Sequence, residues 1–161
     1  MHFYNALLQY EVNFTPKIYI ISDIAARNKE NTDPGVLYTD LYTITDKNKK
    51  KFYLPAYTGI YSSTGRVMGI KTFTIEEYGN LNDRVNFFKS YDDFVNEITI
   101  EYDFFSNYDD KTMSQKNFIR MSDDRETLSI PVATENGKMT EKTIIYKFDG
   151  SKFVHSNYAR D

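Results

Sequence analysis

The chain has 161 residues, 40% of them hydrophobic and 27% charged, a balance that suits one packed domain spanning residues 1–161 and excludes a wholly disordered chain. Twenty basic against twenty-three acidic side chains leave a formal net charge of -3, which offers a phosphate backbone no chain-wide attraction, so no nucleic-acid partner is expected. The absence of cysteine excludes disulfides, thiolate nucleophiles and Cys-based zinc sites.

Fourteen Tyr and twelve Phe, with no Trp, supply side chains that favour strands and bury large areas. Residues 1–12 lack the basic start and cleavage pattern of an export signal, so a periplasmic or cell-surface address would require a leader removed from this chain. The longest aliphatic cluster, residues 18–21, falls far short of the roughly 20 apolar residues of a spanning helix, and no transmembrane segment is expected.

Tyr4, Ala6, Leu8, Tyr10 and Val12 alternate with polar neighbours at Asn5, Gln9 and Glu11, which predicts a first strand with one inward face. Further strands are expected over residues 17–24 and 36–44, separated by the Pro- and Gly-bearing turn at residues 31–35. Four lysines within residues 46–51 read as a solvated hairpin tip. Residues 51–57 form a short strand in which Pro55 cannot donate a ladder hydrogen bond, so an edge or a bulge is expected there. Residues 59–65 make a flexible loop, and residues 66–75 resume the strand pattern.

Ser90 followed by Asp92 and Asp93 places a capping residue and two acids as a helix N-terminus favours, predicting one short helix near residues 90–96. Over residues 97–104 Ile98, Ile100, Tyr102 and Phe104 share one face, and Glu97, Thr99, Glu101 and Asp103 the other. Residues 127–134, 143–148 and 153–158 also alternate, joined by Asn136-Gly137 and Asp149-Gly150, the dipeptides of type I′ hairpin turns. A C-terminal three-stranded meander is therefore expected. The whole reads as a mainly β chain, one antiparallel sandwich or barrel of about eight to ten strands.

Catalytic patterns are sparse. The two histidines, His2 and His155, lie near the chain ends, and no G-x-S-x-G elbow is present. Gly59 and Gly65 enclose five residues and Arg66 follows, which fails the phosphate-loop pattern. Glu101 and Asp103, two residues apart on one strand face, stand roughly 6.6 Å apart at about 3.3 Å per residue. Glycoside hydrolysis uses such pairs, yet polar alternation produces them on the wet side of most amphipathic strands. Three Asp-Asp pairs, at 92–93, 109–110 and 123–124, supply hard oxygen ligands but stand in no calcium-loop motif, so no metal and no cofactor is assigned. Asn13-Phe14-Thr15 fits a glycosylation sequon, a pattern frequent by chance.

The remaining resource is aromatic. Tyr57, Tyr61 and Tyr78 fall near glycines or loops, where a phenol offers both a flat face and a hydroxyl to a sugar or a protein. They are the candidate ligand-binding residues. The expected function is non-catalytic recognition of a protein or surface polymer, glycan included, outside the bacterial cytoplasm. A barrel holding a small apolar ligand, and a hydrolase using carboxylates of residues 92–126, are the alternatives.

Overall fold

The computed structural model describes residues 6–20, 35–90, 92–107 and 118–160, with side chains described as far as residue 156. It is mainly β and sandwich-like, with several antiparallel sheets and no closed barrel. Fourteen strands are present among the described residues; nine run six residues or more, and the other five are two- or three-residue pairings.

The first sheet is a hairpin of β1 (Leu7–Val12) and β2 (Thr15–Ile20). The four-stranded sheet holds β3 (Val36–Thr45), β4 (Lys51–Ile60), β5 (Gly65–Lys71) and β10 (Glu97–Asp103) in the order β10-β5-β4-β3. A short pair, β6 (Thr74–Ile75) with β7 (Leu81–Asn82), follows β5. The six-stranded sheet runs β11 (Arg120–Met121), β12 (Thr127–Ala133), β13 (Met139–Phe148), β14 (Phe153–Arg160), β8 (Phe88–Ser90) and β9 (Asp93–Val95). The C-terminal meander is thus present as β12-β13-β14.

The core lies between the two larger sheets. Ile44, Phe52, Leu54, Met68, Ile70 and Tyr102 come from the four-stranded sheet and meet Phe88, Leu128, Ile130, Tyr146 and Phe153 from the six-stranded one. Phe87 stacks on Phe52 at 4.2 Å between ring centroids and meets Phe153 edge-on at 5.8 Å. Fully burying each such ring contributes about 1.5–3 kcal/mol, and the edge-to-face geometry adds to it. Aromatics fill this interior.

The short helix expected near residues 90–96 is absent: Phe88–Ser90 and Asp93–Val95 pair as antiparallel strands, and Phe88 and Lys89 also pair in parallel with Phe153 and Val154. A helix here would have only about seven residues before β10 begins, too few for isolated stability. Burial of Phe88, at 0% exposure, is gained only by joining the sheet.

Pro55 also departs from expectation, because β4 is an inner strand flanked by β3 and β5. Its partner ladder to β5 covers Ala56 to Ile60, lapses at Pro55, and resumes in the same register where Tyr53 and Phe73 exchange backbone hydrogen bonds of 2.9 and 2.8 Å. The missing donor is thus absorbed by a gap in the ladder. A bulge does occur opposite, in β3 between Tyr38 and Asp40. Turn chemistry differs as well: at Asn136-Gly137 only Gly137 has positive φ, +74°, and Gly137 N–H donates to Thr134 O while Thr134 N–H donates to Lys138 O. That is a wider turn than type I′. The backbone with two consecutive left-handed residues occurs instead at Asn13 (φ 49°) and Phe14 (φ 61°), between β1 and β2.

No helix among the described residues is long and apolar enough to cross a membrane.

Candidate functional site

Three loops converge at one end of the molecule. The β4–β5 turn contributes Tyr61, Ser62 and Thr64; the end of β10 contributes Glu101 and Asp103; the β12–β13 turn contributes Glu135 and Asn136. Together they line an open groove of roughly 270 Å³. Backbone hydrogen bonds fix the loops to one another: Phe104 N–H donates to Thr64 O at 2.7 Å, and Asp103 N–H donates to Gly137 O at 2.9 Å. Asn107, 1% exposed, clamps the same corner, its Nδ2 donating to Gly137 O at 2.9 Å and its Oδ1 accepting from Met139 N–H at 2.7 Å. A buried amide satisfied this way holds the end of β10 and the β12–β13 turn in one geometry.

The Tyr61 ring lies over Gly65, where a Cβ would collide with it. Ser62 Oγ accepts from Gly65 N–H at 2.7 Å and shapes the turn beneath the ring. Tyr61 is 48% exposed; loss of solvation, then the Glu101 and Asp103 carboxylates, hold its phenol above the ordinary value, so it stays a neutral donor. Asp103 is held below the ordinary carboxylate range chiefly by the Ser106 N–H, which donates to Asp103 Oδ1 at 2.7 Å. Among the described residues none of those lining the groove is basic, so the Glu101, Asp103 and Glu135 carboxylates dominate its field, offset in part by the Arg66 guanidinium, which donates to Ser62 O at 3.1 Å and to Gly65 O at 3.0 Å behind the turn.

Tyr57 lies inside the fold, 7% exposed. In register it stands beside Gly69 of β5, which in turn faces Thr99 of β10. The Tyr57 ring crosses over Gly69, where a Cβ would overlap it, and its hydroxyl donates to Glu97 Oε1 at 2.6 Å and sits 3.0 Å from Thr99 Oγ1. Tyr38 meets the same ring edge-on at 5.8 Å. Burial foremost, then the bond to Glu97, pushes the Tyr57 phenol well above its usual value. Tyr78, 83% exposed, sits on the β6–β7 turn and lines no part of the groove. The three tyrosines therefore occupy three settings: interior, groove and an exposed turn.

Glu135 and Asn136 carried only a turn signal in the sequence; the long-range clamp of Asn107 makes them neighbours of Tyr61. Glu101 and Asp103 were visible as a pair on a wet face, and the structure places both in the groove. Among the described residues no group of three His, Asp or Glu side chains could hold a metal ion. The Asp-Asp pair at 109–110 and His2 lie outside the described residues. Asp124 accepts from the Ser122 hydroxyl and from Glu126 N–H, the geometry of a turn, and His155 packs edge-on against Tyr146 at 5.8 Å.

A second cavity of roughly 210 Å³ opens near the β3 bulge, and Tyr57 with Gly69 lines it beside Ala56, Met68, Phe118 and Ile119. No known protein family matches the chain, and no curated protein or solved structure shows significant similarity to it.

Proposed function

We propose that this is a non-catalytic recognition domain, working in the periplasm or at the cell surface, whose Tyr61 groove holds a cation-bearing segment of a protein or surface polymer. The observation that carries this reading is the groove itself: an exposed phenol ring beside three carboxylates, on loops pinned by backbone hydrogen bonds. An ammonium or guanidinium is attracted both to carboxylates and to an aromatic face, and a pinned site loses little ordering entropy on binding.

The hydrolase alternative gains one observation, since Glu101 and Asp103 do share a groove. An anionic Asp103 suits the nucleophile or base, so the acid would have to be Glu101 or Glu135, both of which are solvent-exposed rather than set in the apolar pocket such an acid uses. The apolar-ligand alternative is weaker again: the sheet does not close into a barrel, and the 210 Å³ cavity is below the roughly 300–1,000 Å³ of small-molecule sites.

The test is a titration of the full chain with lysine- and arginine-rich peptides and with amine-bearing polysaccharides, followed by amide NMR. Saturable shifts confined to residues 61–65, 101–103 and 135–137 are expected. Tyr61→Ala with Glu135→Gln should abolish them with the fold intact, whereas Glu141→Gln, on the exposed part of β13, should not. Shifts that never saturate, or that survive the double substitution, would refute the groove as the site.

A further inference from the structure

The β1–β2 hairpin is joined to the body in a different manner from every longer strand. Among the described residues its ladder runs only between its own two strands. Side chains make the attachment: Tyr10 Oη donates to Gly79 O at 3.0 Å, Lys17 Nζ to Tyr78 O at 3.3 Å, and Tyr19 Oη to Asp83 Oδ2 at 3.4 Å. The Tyr19 ring also meets Phe73 edge-on at 6.5 Å. No residue of either strand is fully buried. On the outward face Leu7, Ile18 and Ile20 are 57–67% exposed, so burial of apolar area is one-sided.

The turn adds strain of its own. Phe14 is 93% exposed at φ 61°, a left-handed backbone that disfavours a side chain, and it gains no packing there in return. Beneath the hairpin lie groups that are well covered, Phe73 at 1% exposure foremost.

We propose that the β1–β2 hairpin is a flap that leaves the body without global unfolding, losing its own ladder once detached, and that in leaving it uncovers the aromatic surface around Phe73. Isolated two-stranded hairpins are marginal in water, and units held by few buried contacts open at the low end of a protein's range of local stabilities. The flap is separate from the Tyr61 groove, so it stands or falls independently of the recognition reading.

Hydrogen exchange on the full chain, read residue by residue at increasing sub-denaturing urea, tests it. Amides of β1 and β2 should exchange about a hundredfold or more faster than those of β13, with little dependence on urea. Phe14→Gly, which creates the Asn-Gly pair favoured in type I′ turns, should slow opening by about threefold, a part of the left-handed strain it removes. Because the chain has no cysteine, Val12→Cys with Gly79→Cys gives a switchable lock: a Cβ at Gly79 would stand 2.7 Å from Val12 Cγ2, within reach of a disulfide, and the strain of a side chain at φ +76° is carried equally by the reduced and oxidised forms. Oxidation should suppress exchange in β1 and β2 and leave β13 unchanged, with the reduced protein as the internal control. If β1–β2 amides share the rate and urea slope of β13, or if the closed cross-link leaves their exchange unaltered, the flap is refuted.

Discussion

In the β12–β14 meander Leu128, Ile130, Tyr146 and Phe153 are each at most 4% exposed, whereas the β1–β2 hairpin has no fully buried residue on either strand. Both ribbons are written in the same two-residue rhythm. The rhythm decides which face a side chain takes, and the depth of burial is decided by what the other side of the sandwich supplies. The meander receives Phe52, Leu54 and Ile70 from the facing sheet; among the described residues the hairpin receives the edge of Phe73, Gly79 beneath Val12 and three hydrogen bonds of 3.0–3.4 Å. Two substitutions break or confirm that contrast. Phe153→Ala should cost about 3–5 kcal/mol, read as a fall in the urea midpoint. Leu8→Ala, on the half-buried hairpin face, should cost about 1 kcal/mol, since little of its area leaves water. Equal costs would show that the hairpin is as deeply integrated as the meander.

A second contrast lies within one strand pair, where two tyrosines each cross a glycine. Tyr57 over Gly69 is enclosed and hydrogen-bonded to Glu97, while Tyr61 over Gly65 is half exposed at the turn. Gly69→Ala should cost about 1–3 kcal/mol, because the buried ring cannot yield without losing its carboxylate partner. Gly65→Ala should cost less, because Tyr61 can swing into solvent. Placing Gly69→Ala in a Tyr57→Ala background should remove most of its penalty, and the double-mutant cycle measures the difference. An unchanged penalty in that background would mean that backbone conformation at position 69, not the ring, demands glycine.

The legible parts of the sequence were those where one strand declares both its faces. Residues 97–104, the Lys-rich tip between β3 and β4 and the C-terminal meander all appear within a residue or two of expectation, except that β13 begins four residues earlier, at Met139. Misread segments were settled by distant partners. Ser90, Asp92 and Asp93 carry true capping chemistry, but Phe88 lies opposite Phe153, 65 residues on in the chain, and that pairing outweighs a cap. Asn136-Gly137 was a correct turn with the wrong geometry, and Asn13-Phe14 took the type I′ backbone without a glycine to announce it. At the candidate site Tyr61 was visible because it neighbours a glycine-flanked loop. Glu135 was not, since its place in the groove depends on Asn107, whose side chain looks like any other amide until it is buried.

The smallest effects expected are those of pH: acid acts through carboxylates of the body, and alkali reaches Tyr19 of the hairpin before the more deeply buried Tyr38 and Tyr57 of the body, whose phenols are raised further. Asp103, Asp124 and Asp149 are held below the ordinary carboxylate range by the Ser106 N–H, the Ser122 hydroxyl and the Lys152 N–H respectively. Each serves a loop or turn bordering the groove or the six-stranded sheet. In the unfolded chain these groups take up protons near pH 4, while the folded chain resists. Their contribution is present above about pH 4 and fades as pH falls through the depressed folded values, so the urea midpoint should drop on acidification toward pH 2–3. Tyr19 behaves in the opposite sense: burial first, then the Asp83 carboxylate, raises its phenol above 10. The unfolded or released phenol ionises near pH 10 while the attached one holds its proton, so attachment is intact below about pH 10 and weakens as pH rises beyond it. Tyr NMR signals from β2 should therefore report release in alkali before the meander melts, and Tyr19→Phe should erase that early alkaline step. A midpoint that ignores acid, or an alkaline transition in which hairpin and meander melt together, would break the division.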